Sequence, residues 1–224
     1  MQLGALDRAR RECEIRISWT VLFGRAYALV GEQMPELRDL FVRWPTRQLY
    51  RHPFSVASLS IHRKDDEGNE RLIWGRWDNS EQSTLSDMQT QLDHFCTAPM
   101  AEAYREGLML ERTVTWVRRL AWWWVMQCAG RKRAKHVGTF SISSLGGQGV
   151  LNAHHPLITT SSLAFGPILQ TGECEVVLLC DHRTLDGVLG AAALKALESI
   201  LVDQMPAEMN KVRIGMITDG KPND

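Results

Sequence analysis

Asp181-His182-Arg183-Thr184-Leu185-Asp186-Gly187 is the stretch on which the reading of this chain turns. It follows an apolar run, Val176 to Cys180, and precedes a strongly helical segment, Val188 to Val202. A buried strand end fixes the histidine, the turn lets its imidazole reach into a cleft, and Asp186 stands at the helix start. An imidazole so held suits general-base work, because its unperturbed pKa of about 6.5 lies close to neutral pH. A lone histidine at a strand end also has a plainer reading, a hydrogen-bonded structural residue. His-Arg-x-x-Asp-Gly fixes four positions, and chance supplies such a run in about 1 of 1000 chains of this length.

Working outward, three strand-like segments come late in the chain: Val137 to Ser143, Leu157 to Ile168, and Glu173 to Cys180. Before them, Phe54 to Ile61 and Arg71 to Trp77 read as a hairpin around the polar turn Asp65-Asp66-Glu67-Gly68-Asn69. Leu3 to Cys13 reads as a charged helix. A more apolar helix follows, capped by Ser18 and ending before Pro35. Ser83 to Phe95 carries Leu85, Met88, Leu92 and Phe95 on one helical face. Helices and strands alternate irregularly, which predicts an α/β sandwich with a mixed sheet.

Thr113 to Gly130 holds Trp116, Trp122, Trp123 and Trp124, half of the chain's eight tryptophans. It is expected to pack on the domain or on a neighbouring subunit. It could also wall an apolar channel, or lie on a membrane surface, where tryptophan and basic flanks are favoured. The run Arg131 to His136 reads as a solvated loop, with attraction for a ligand phosphate as the competing reading.

Bulk composition narrows the function. The chain has 224 residues, 44% hydrophobic and 23% charged, as in one globular domain with a full core. Lys+Arg and Asp+Glu both total 26, and zero net charge argues against a dedicated nucleic-acid binder. Neither a secretory signal nor a membrane-spanning run is visible. The five scattered cysteines read as reduced thiols of a cytoplasmic protein. No Cys-x-x-Cys or His-x-x-x-His pair occurs, so no metal site is expected. His154 and His155 are read as loop residues, because neighbours on an extended segment face opposite ways.

Gly138-Thr139-Phe140-Ser141-Ile142-Ser143-Ser144-Leu145-Gly146, followed by the Asp-His-Arg-x-x-Asp-Gly run, resembles two signature blocks. They are similar to those of the catalytic domain of 2-oxoacid dehydrogenase complex acyltransferases and, more distantly, chloramphenicol acetyltransferase. The likeness is strong from Val137 to Val202 and weaker over residues 3–95. The tryptophan-rich segment departs from the pattern and marks a divergent, stand-alone branch. Residues 1–224 are then expected to form a single acyltransferase-like catalytic domain, without lipoyl or subunit-binding domains and without the family's first helix and strand. The Ser143-to-His182 spacing is shorter than in complex-bound members and implies a clipped hairpin near Thr171-Gly172.

The resemblance implies a chloramphenicol-acetyltransferase-like two-layer sandwich that forms homotrimers, with the active site between subunits. It implies acyl transfer from a coenzyme A or carrier thioester, as substrate rather than bound cofactor, to an acceptor it does not identify. His182 is implied as general base and Ser143 as oxyanion donor, with Ser144 able to take that role instead. Asp186 is implied to hold the His182 loop through an arginine, with Arg183 the adjacent candidate; a helix N-cap is its structural alternative. Thr159, Thr160 and Ser161 are expected near the substrate channel. The alternatives are a non-catalytic trimeric scaffold of the same fold and a membrane-surface lipid-modifying protein.

Overall fold

The computed structural model describes residues 1–13 and 15–219, with side chains as far as residue 212. Two helices open the chain, α1 (Gly4–Glu12) and α2 (Trp19–Gln33). Ser18 caps α2 by accepting from the Val21 N–H at 3.2 Å, so the serine satisfies a donor that the first helical turn would leave open. A small hairpin follows, β1 (Asp39–Val42) and β2 (Gln48–Arg51), joined through a cis Trp44-Pro45 bond. Its β1 strand escaped the sequence reading because four residues are too few to show a period.

The larger hairpin is β3 (Val56–Lys64) and β4 (Glu70–Asp78). Asp65 accepts from Glu67 and Asn69 backbone N–H groups, and Gly68 at φ 88° closes the turn. Then come α3 (Leu85–Thr97), α4 (Met100–Ala103), α5 (Arg105–Arg112), α6 (Thr115–Cys128) and α7 (Gly130–Val137). The last strands are β5 (Phe140–Ser144), β6 (Ser161–Phe165) and β7 (Val176–Cys180), before α8 (Gly187–Ser199), a π-helical turn and α9 (Met205–Asp219). The fold is mixed α/β, with a main sheet in the order β4-β3-β5-β6-β7. The β3–β5 and β5–β6 pairs are parallel, and the outer pairs antiparallel.

Register separates two faces. Leu59, Ile73, Trp77, Phe140, Ile142, Leu163, Phe165 and Leu178 share the face toward α2, α3 and α8. Phe23 stacks on Phe165 with ring centroids 4.1 Å apart, and Tyr27 meets Phe140 edge-on at 4.9 Å. Burying each such ring stabilises the fold by about 2–3 kcal/mol. Gly24 lets α2 lie directly on the sheet, since a Cβ there would stand 2.6 Å from the Trp77 ring. The opposite face carries Ser58, Ser141, Ser143, Ser162 and, at the outer strands, Trp74 and Leu179.

The three late strands are shorter than the sequence suggested, the last beginning at Val176 rather than Glu173. The segment Val137 to Ser143 begins as the end of α7 and becomes a strand only at Phe140. In Leu157 to Ile168 only Ser161–Phe165 is strand: the Thr159 hydroxyl donates to the Ser161 carbonyl two residues on, and the Thr160 hydroxyl donates to the Asp39 carbonyl on β1. Gly172, at φ 82°, closes the tight β6–β7 turn where a clipped hairpin was expected.

Candidate active site

β7 delivers the chain to the turn that carries His182. Asp181 N–H bonds to the Thr160 carbonyl, which ties the loop to the start of β6. The Asp181 carbonyl then accepts from the N–H groups of Thr184 and Leu185 and from the Thr184 hydroxyl. Leu185, 2% exposed, pins the turn into the core. His182 stands exposed at the crest, with no hydrogen bond or ion pair among the described residues.

The carboxylates around His182 divide their work differently from the expectation. Arg183 pairs with Asp181, Nε at 2.8 Å and Nη2 at 2.6 Å, while its guanidinium lies 4.8 Å from the Phe41 ring centroid. Burial pushes the Asp181 carboxyl up, but the Arg183 side chain and backbone N–H, with Arg133 beyond, hold it below the usual carboxylate range. Asp186 accepts from the Leu189 N–H at 2.7 Å and caps α8. Arg183 is therefore not the partner of Asp186, and the cap is what the carboxylate does within this chain.

Arg133 was missed by sequence reasoning. It lies in α7, not in a solvated loop, and only 4% of it is exposed. It donates to the carbonyls of Phe41 at 3.0 Å and Ile158 at 2.9 Å, so it ties the β1 strand to the segment before β6. Burial lowers its pKa, with Arg183 adding in the same sense. A basic run of four cations gives no hint that one of them turns inward.

Ser143 and Ser144 end β5 and face opposite ways. Ser144 is engaged locally: its hydroxyl donates to the Phe165 carbonyl at 3.4 Å and accepts from Gly146 N–H at 3.2 Å. Ser143 lies on the far face, partly exposed, and its hydroxyl has no partner among the described residues. Between the two serines, Ser143 is the one whose donor is available.

Register then decides whether Ser143 can meet His182. Phe140, Ser161 and Cys180 lie side by side across β5, β6 and β7. Ser143 is three residues beyond that row in one direction, and His182 two residues beyond it in the other. With strands rising about 3.3 Å per residue and spaced about 4.8 Å, the two lie roughly 15–20 Å apart within one chain. Thr160 and Ser161 line no channel in this chain: both are 1% exposed or less, and the Thr160 hydroxyl donates to the Asp39 carbonyl at 2.6 Å.

The far face also holds a hydroxyl network. Ser141 bonds to Ser162 at 2.6 Å and to Thr159 at 3.2 Å, and His155 Nε2 bonds to the Ser162 hydroxyl. His155 is thus a loop residue, as expected, and it closes a buried row of hydroxyls that only the pairing of β5 with β6 creates.

No family model matches the chain, and no curated protein does. Solved structures do. The truncated catalytic core of the 2-oxoacid dehydrogenase multienzyme complex from Thermoplasma acidophilum aligns with a TM-score of 0.58 and 13% identity, covering 90% of this chain and 83% of that one. Dihydrolipoamide acetyltransferase from Azotobacter vinelandii aligns at 0.56 and 17% identity, covering 93% and 77%. Chloramphenicol acetyltransferase aligns at 0.53 and 12% identity, covering 89% and 83%. Sheet order, helix layer and these alignments together show that the chain has the chloramphenicol-acetyltransferase-like fold of the acyltransferase cores of 2-oxoacid dehydrogenase complexes.

Proposed function

We propose that this protein is an acyltransferase whose active site forms between two copies, His182 of one facing Ser143 of the next. The observation that carries this reading is their placement. His182 is exposed and Ser143 partly so, and neither has a partner among the described residues, yet they sit at opposite ends of one chain's sheet. A homotrimer supplies three such pairings by cyclic symmetry. The neighbour from Azotobacter supports the reading, since a serine, a histidine and an asparagine were investigated there for their role in its mechanism. Its histidine and asparagine are four residues apart, the spacing of His182 and Asp186.

The donor is a thioester of coenzyme A or of a carrier arm, and the acceptor a thiol, hydroxyl or amine. The acceptor attacks the thioester carbonyl while the His182 imidazole takes its proton. The carbonyl oxygen becomes an oxyanion and accepts from the Ser143 hydroxyl, a contact worth about 10²–10³ in rate. Collapse breaks the carbon–sulfur bond, and the imidazolium returns the proton to the leaving thiolate. The Asp181–Arg183 pair and the Asp186 cap hold the loop without entering the chemistry.

Thiol release from a panel of acyl-coenzyme A donors, with mixed amines, alcohols and thiols as acceptors, tests the activity. His182→Ala and Ser143→Ala should each abolish most of it. Co-assembled from equal amounts of the two variants, a trimer should regain about a quarter of wild-type activity, because that share of interfaces pairs an intact histidine with an intact serine. Release without such recovery would place both residues' work within one chain. No release from any donor by an intact oligomer would favour the non-catalytic scaffold.

A further inference from the structure

We propose that α6 docks this protein on an anionic lipid surface. The inference stands apart from the catalytic reading and rests on the surface of α5, α6 and α7.

None of the residues of α6 is buried. Trp116, Val117, Leu120, Trp123 and Trp124 fall at positions i, i+1, i+4, i+7 and i+8, which places them on one stripe of the helix. Trp116 is 69% exposed and Trp124, the least exposed of the helix's indoles, 43%. The three indoles of the stripe present roughly 300–400 Å² of aromatic surface, the size of the largest patch on an ordinary monomer, and Trp122, at i+6, falls outside it. Within one chain the indoles of this segment stay exposed, so of the two surfaces expected to receive them, its own domain is not the one that does. Val114 before the helix, Met109 and Leu110 in α5, and Trp44 at the hairpin tip extend the exposed apolar surface.

Charge says what covers it. Between Glu111 and Glu173 the chain contains no aspartate or glutamate. Arg118, Arg119, Arg131, Lys132 and Lys135 lie in this stretch, and none is in an ion pair among the described residues. Lys132 sits 4.6 Å from the Trp124 ring centroid, so cation and indole are presented side by side. Indoles beside basic side chains suit the headgroup level of a bilayer, where the ring is half wet and the cation meets lipid phosphate or carboxylate. A second copy laid symmetrically on the same stripe would set these cations against their own counterparts. At 14 residues α6 is about 21 Å long, too short to cross a hydrocarbon core of about 30 Å. No described helix is long and apolar enough to cross a membrane.

The helix is rooted rather than loose. The Gln127 carbonyl accepts from Arg43 N–H at 3.0 Å and Trp44 N–H at 2.9 Å. Arg133 and Arg183 both engage Phe41 in the same hairpin, so a docked α6 brings the His182 end of the sheet toward the lipid.

The test is co-sedimentation of the full chain with vesicles of phosphatidylcholine alone, and with about one-third phosphatidylserine. Binding is expected on the anionic vesicles only, with a blue shift of tryptophan emission and release by high salt. Trp123→Ala/Trp124→Ala and Arg118→Glu/Arg119→Glu should each weaken binding about tenfold or more. Because α6 buries none of its side chains, both variants should keep the wild-type circular dichroism spectrum. Absent vesicle binding by the wild type, or binding indifferent to both variants, would overturn the proposal. Loss of oligomer in the tryptophan variant, without vesicle binding by the wild type, would give the stripe to a second copy.

Discussion

Arg183 holds Asp181 through Nε and Nη2 and leaves Asp186 to cap the helix that follows. Two carboxylates flanking one histidine thus do separate mechanical tasks, and each task has its own signature on substitution.

The Asp181 carboxyl is held below the usual carboxylate range when folded. A depressed folded pKa contributes stability that is present above the unfolded value of about 3.9 and is lost as pH falls through the folded value. Asp181→Asn should therefore be less stable than wild type near neutrality, and the gap should shrink below about pH 4. Thermal melts of both proteins from neutral to acid pH check this; a gap independent of pH would mean that packing, not the ion pair, is at stake.

Asp186 should tolerate asparagine and not alanine. Asparagine keeps an oxygen that can accept from Leu189 N–H, whereas alanine opens the cap at a cost of about 1 kcal/mol. Urea titration of the two variants separates them; equal losses would show that the charge rather than the cap matters.

Ser143→Ala and Ser144→Ala should differ in kind. Removing the Ser143 hydroxyl breaks no hydrogen bond among the described residues, so stability should hold while turnover falls about 10²–10³-fold. Removing the Ser144 hydroxyl loosens Gly146 and frees the Phe165 carbonyl, which should cost about 1 kcal/mol. The measurement is melting temperature beside turnover number for each, and a stable, fully active Ser143→Ala protein would remove that serine from the chemistry.

Arg133→Met should be among the more damaging single changes in this region. Two carbonyls, of Phe41 and Ile158, lose their donor inside the protein, at about 1–3 kcal/mol each. Chemical denaturation reads the loss directly, and Arg133→Lys, which can reach only one carbonyl at a time, should fall between.

The parts of the fold that could be read ahead are those written in neighbouring residues. Ser18 before an apolar helix, Asp65 to Asn69 between alternating strands, and Asp186 before α8 each act on backbone a few positions away. What stayed hidden depends on distant partners. The inward turn of Arg133 requires Phe41 and Ile158, and the His155–Ser162–Ser141 row requires β5 and β6 to be adjacent. The exposure of the tryptophans stayed hidden for a related reason: aromatic richness usually signals burial, and composition carries no information about which surface, in the same chain or outside it, receives the rings. In the candidate site, the placement of His182 just past the end of a strand was legible, whereas its distance from Ser143 became available only through strand register.

The acid-free stretch from 112 to 172 has a consequence for handling the molecule. A protein with equal numbers of acidic and basic groups and an isoelectric point near 7.1 is ordinarily expected to ignore an ion exchanger at neutral pH. Here the balance is an average over a chain whose residues 112–172 carry cations and no carboxylate, although Glu106 of α5 reaches His136 of α7 from outside that stretch. Such uneven spacing of charge should let a sulfonated resin retain the protein at its own isoelectric point and release it sharply as salt is added.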